Sequence, residues 1–184
     1  VTEVGDLMIF VRIVDWINKQ MSRLIGLSLL VMTIVIFLQV MTRFVFTAVD
    51  IYISIPWAEE LARYLMIWIV FIGGALATRH AKLIAVDALV FAVPKVPGKL
   101  IKIFAHILSL LFYVCLLIIG IQWANIGLTV RAPVMGFSMI YVYLAMAVGA
   151  GLMILNTITL FIDTALNKKD IRDPTSNEVN TPNH

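Results

Sequence analysis

Four long apolar runs set the plan of this chain. They cover Leu24 to about Phe46, Trp57–Arg79, about Leu100 to Asn125, and Phe137 to about Phe161. At about 1.5 Å per residue, each is long enough as a helix to cross a hydrocarbon core roughly 30 Å thick. The pattern therefore predicts an all-α integral membrane protein with four transmembrane helices. Small residues four apart mark close helix contacts within two of them: Gly73 and Ala77, Gly74 and Thr78, Ala145 and Gly149, Ala147 and Gly151.

Ahead of the first run, residues 6–21 carry a different pattern. Arg12, Asp15, Lys19 and Ser22 share one face, and Phe10, Ile13, Val14, Ile17 and Met21 share the other, with Trp16 near the boundary. This amphipathic helix suits a position in the membrane interface. The alternative is that it extends the first span, since both arrangements satisfy the same face pattern. Between the second and third runs, Leu83–Val93 has the length of a short interfacial helix ended by Pro94, and Pro97-Gly98 predicts a turn.

Composition agrees with the runs. The chain has 184 residues, 61% hydrophobic and 14% charged, whereas soluble domains sit nearer half apolar and a quarter charged. One membrane domain over residues 1–169 is expected, followed by a flexible tail over 170–184, rich in Asn, Thr and Pro. The single Cys115 lies inside an apolar run. Residues 1–23 do not read as a cleavable signal, because acids interrupt them.

The charge distribution adds an orientation. Eleven Lys and Arg flank one side of the spans: Arg12, Lys19 and Arg23, then Arg79, Lys82, Lys95, Lys99 and Lys102, then Lys168, Lys169 and Arg172. Three, Arg43, Arg63 and Arg131, flank the other. Basic loops face the cytoplasm, which predicts that both termini are cytoplasmic. The net charge of +3 is concentrated beside the spans and is no signal for nucleic acid.

The candidate chemistry is sparse. Glu59, Glu60 and Arg63 follow Trp57 in the first turns of the second span, so both acids are within reach of one guanidinium. A substrate or ion site is one use for them. The structural use, a charge cluster locking neighbouring helices with Arg43 as a further partner, fits better, because coupling carboxylates are usually held deep in a span. His106, Ser109 and Tyr113 share a face of the third span, which predicts a protein-facing stripe. His80 and His106 raise the alternative of a haem- or quinone-binding anchor subunit. They lie at different helix positions, and a hydrogen-bonded structural His106 is the plainer expectation. Asn156 suits helix–helix contact. No nucleophile–base pair, nucleotide loop or metal-ligand set is present, so neither an enzyme nor a cofactor is expected.

One stretch carries a family resemblance. Trp57, Glu59, Glu60, Ala62, Arg63 and Trp68, then Ala77 and Arg79, then Ile84, Val86 and Asp87, with Arg43-Phe44-Val45-Phe46 before them, resemble the small membrane subunit (DctQ-type) of tripartite ATP-independent periplasmic (TRAP) transporters. Leu83 and Ala147 stand where that family tends to have His and Pro. The resemblance implies a bacterial inner-membrane location and a role as scaffold. The implied partners are a large multi-span subunit, a periplasmic substrate-binding protein and membrane lipid. The implied process is sodium-driven uptake of organic acids such as C4-dicarboxylates or sialic acid.

Overall fold

A computed structural model describes residues 2–46, 55–79 and 95–166. Its helices are α1 (Thr2–Met41), α2 (Pro56–Arg79), α3 (Lys95–Gly127) and α4 (Ile140–Leu166). All four contain segments long and apolar enough to cross a membrane. The predicted interfacial helix Leu83–Val93, Asp87, His80 and the tail 170–184 lie outside the described residues.

Three boundaries differ from expectation. The amphipathic stretch is no separate element: it and the first span form one unbroken helix of 40 residues. That helix is about 60 Å long, twice the hydrocarbon thickness. It continues as a π-helical turn over Thr42–Phe46, where the Thr42 hydroxyl donates to the Gln39 carbonyl at 2.8 Å. Helix α3 begins at Lys95, about five residues early, and takes in Pro97 and Gly98, which do not form a separate turn. Proline is tolerated there because first-turn N–H groups have no intrahelical acceptor anyway. Helix α4 begins three residues late, at Ile140, because Phe137–Met139 close a hairpin loop.

Helix α4 is central. It packs against α2 on one side and α3 on another, and α1 leans mainly on α2 and touches α4. Small residues permit the close approach. A Cβ on Gly149 would lie 2.6 Å from the Phe71 Cβ and 3.0 Å from the Phe71 carbonyl carbon and oxygen. A Cβ on Gly120 would lie 2.7 Å from the Ala147 nitrogen. Gly151, expected to make a similar contact, instead faces open space.

Candidate functional site

Glu60 is the centre of the hairpin end of the bundle. Pro56 opens α2 with its fixed φ, which places Glu60 on the inner face and Glu59 on the outer one. The Glu60 carboxylate is buried, and both of its oxygens are engaged. Oε1 accepts from the Tyr64 hydroxyl at 2.6 Å, one helical turn on. Oε2 accepts from the backbone N–H groups of Val134 at 3.1 Å and Met135 at 2.8 Å. A carboxylate is well suited to two adjacent amides, because charge-assisted hydrogen bonds are stronger than neutral ones.

The loop so held is a tight hairpin. Ala132 N–H donates to the Phe137 carbonyl at 2.8 Å, and Met139 N–H to the Val130 carbonyl at 3.0 Å. Gly136 takes the turn at φ 73°, a left-handed value that glycine adopts without penalty. The Ser138 hydroxyl donates to the Gly127 carbonyl at 2.8 Å, tying the end of α3 to the start of α4. Tyr64 also meets Phe137 edge to face, with ring centroids 5.4 Å apart.

The predicted shared guanidinium is not what forms. Arg63 pairs with Glu59 at 3.0 Å, with both side chains well exposed, and among the described residues no ion pair joins it to Glu60. Arg43 lies over the ring of Phe44, 5.8 Å from its centroid, and among the described residues it makes no ion pair with either acid. The physical reason is face geometry. Positions 59 and 63 share the outer face of α2, while 60 and 64 turn inward. Trp57 is exposed, and Trp68 Nε1 donates to the Tyr141 carbonyl at 3.1 Å.

The basic end carries a second polar group. Asn18 and Asn156 exchange hydrogen bonds, at 2.6 Å from Asn18 and 3.0 Å from Asn156. Asn156 also donates to the Ala75 carbonyl at 2.7 Å, so one amide joins α1, α2 and α4. Beside it, Arg79 grips Asp15 through two hydrogen bonds, at 2.8 and 3.2 Å. Neither Asn18 nor the Asp15 pairing was among the sequence-derived candidates. A signal existed: Asn18 interrupts the apolar side of the amphipathic pattern, and a polar group in such a place needs a partner.

The α3 stripe turns inward, against α4. His106 is buried, donates from Nδ1 to the Lys102 carbonyl at 2.8 Å, and meets Phe161 edge to face. Tyr113 is buried against Ala75 and Met153, and its hydroxyl lies 3.4 Å from that of Thr78. Ser109 is half-buried between them. Leu111 and Ile118 point outward. Ser109→Trp should therefore lower the Tm of the purified protein, since overpacking costs about 1–3 kcal/mol. Leu111→Trp and Ile118→Trp should change it little. Equal losses at all three positions would show that the stripe has no special role.

Among the described residues, no group of three His, Cys, Asp or Glu is placed to hold a metal ion. The buried polar side chains of Asn18, Thr42, Glu60, Thr78, His106, Asn156, Thr157 and Thr159 are engaged with other helices, the hairpin or their own backbone. The class defined by this arrangement is a multi-pass helical membrane protein whose internal polar chemistry holds helices together.

Comparison with known proteins narrows the class. Residues 32–167 match the family described as tripartite ATP-independent periplasmic transporters, DctQ component. Two proteins of Haemophilus influenzae, both named as TRAP transporter small permease proteins, are similar. One is 30% identical over 151 residues, covering 81% of this chain and 89% of the relative. The other is 24% identical over 141 residues, covering 77% and 82%. The chain belongs to the DctQ-component family and is a small permease subunit of a TRAP transporter.

Proposed function

We propose that the subunit is a scaffold in a sodium-driven uptake system for organic acids, such as C4-dicarboxylates or sialic acid. It lies in a bacterial inner membrane with both termini in the cytoplasm. It braces a large multi-span subunit that carries the substrate and ion sites, and its hairpin end helps to dock a periplasmic substrate-binding protein. The observation that carries this reading is the engagement of the buried polar groups. Glu60, Tyr64, Asn18, Asn156 and His106 all serve helix or loop contacts. Ion- or substrate-coupled carboxylates instead face a cavity or a pathway. The outward apolar face of α3 supplies surface for a membrane partner.

The subunit reconstituted alone into vesicles should give no sodium-dependent uptake of any acid in a panel of C4-dicarboxylates and sialic acid. Adding the large subunit and the binding protein should restore uptake of one of them. Uptake by the lone subunit would defeat the scaffold role.

A further inference from the structure

Helix α1 has a defined bundle side. Val14 and Asn18 are buried, and Met21 and Ile25 are half-buried. About half a turn away lie Arg12, Trp16, Lys19 and Arg23, all exposed, with Trp16 at 62%. Their spacing of four, three and four residues places them on one line of the helix. Gln20 flanks the line and accepts from Arg23 Nη1 at 3.1 Å. Asp15, the acid nearest in sequence, is held by Arg79. Among the described residues, none of the three cations on the line pairs with an acid.

Below Arg23 the same line becomes wholly apolar. Leu27, Leu30, Ile34 and Phe37 continue it, all exposed, over about 15 Å of helix. The depth of the change is fixed by contacts. Asp15 meets Arg79, the last residue of α2, and Asn18 is linked through Asn156 to the Ala75 carbonyl one turn below. Arg12 to Arg23 therefore flank the end of a membrane-spanning helix. Lys19, four residues from Asp15, has the reach to lay its stem along apolar surface and lift its charge to that level, and Arg23 reaches back about one turn to Gln20.

We infer that this face of α1 is a binding site for an anionic phospholipid of the leaflet on the basic side. Lys19, Gln20 and Arg23, within about one turn of each other, hold the headgroup phosphate, Arg12 adds positive charge towards the helix start, Trp16 marks the interface, and an acyl chain runs along Leu27, Leu30, Ile34 and Phe37. Charge complementarity and the continuity from cations to an apolar line favour a lipid over a soluble anion or a protein loop. A soluble anion has no use for the apolar half. A protein loop would not have to change character at the membrane boundary.

The test uses the full chain in nanodiscs of phosphatidylcholine containing a minority of phosphatidylglycerol. Lipids retained after release are identified by native mass spectrometry. The parent protein should retain phosphatidylglycerol in preference. Arg12→Gln/Lys19→Gln/Arg23→Gln should reduce that preference by about tenfold or more, since each cation near an anionic surface contributes severalfold. Lys19→Gln alone should give an intermediate loss, which keeps the test informative if the triple variant folds poorly. Arg131→Gln, at the opposite end, should leave the preference intact. An unchanged preference in both α1 variants, or an equal loss with Arg131→Gln, would overturn the site. So would an unchanged preference combined with lost co-purification of the large subunit, which would assign the face to a protein.

Discussion

Gly149→Ala should be strongly destabilising, while Gly151→Ala, two residues along the same helix, should not. The added methyl at 149 would lie 2.6 Å from the Phe71 Cβ and 3.0 Å from the Phe71 carbonyl carbon and oxygen. Two of those atoms are backbone, so no rotamer change relieves the clash, and α2 and α4 must separate. Overpacking costs about 1–3 kcal/mol, and a shift of this size in a chain this long lowers Tm by about 2–4 °C per kcal/mol. Gly149→Leu should prevent a stable bundle from forming. At Gly151 nothing lies within 4 Å of the added carbon. Alanine there should be neutral or should stabilise, since glycine in a helix interior costs up to about 1 kcal/mol. Thermal unfolding of the isolated chain in detergent separates the two. Equal effects would mean that α4 does not pack on α2 through this face.

Much of the bundle could be read directly from residue type, and the errors have specific physical causes. The expected second span, Trp57–Arg79, differs from α2 by one residue, because Pro56 and Arg79 mark its ends. Pro97 misled at α3, since proline breaks a helix interior but not a first turn. The amphipathic stretch at the start of α1 was compatible with a break or with continuity. Asn18 decides for continuity, by carrying the polar contact to Asn156 deep into the bundle. Glu60 was legible as an important acid, but its partner Tyr64, four residues on, was not among the candidates. The hairpin amides of Val134 and Met135 were not. Backbone donors carry no side-chain signature, so a carboxylate that caps a distant loop looks in the sequence like one waiting for an arginine. Arg63 and Arg43 were the visible cations. Helix geometry gives the first to Glu59 and leaves the second over Phe44.

That difference makes Glu60 the most informative position at the hairpin end. Glu60→Ala would leave the buried Tyr64 hydroxyl and the part-buried Val134 and Met135 amides without their acceptor. Unsatisfied buried donors cost more than the bond they lose, because their desolvation is no longer offset. The hairpin should loosen, and the yield and Tm of the assembled complex should fall, with transport falling in proportion to intact complex. Glu60→Gln should recover part of the loss. Its carbonyl oxygen can still accept from the two amides, and its NH2 can donate to the Tyr64 oxygen, so hydrogen bonding survives without charge. Glu59→Ala should do far less, since an exposed pair with Arg63 is worth about 0–1 kcal/mol. A substrate or ion role for Glu60 predicts a different result: normal assembly and an unchanged Tm, with transport abolished in both the Ala and the Gln variants. Measuring complex yield, Tm and uptake on the same preparations decides between a brace and a transport site.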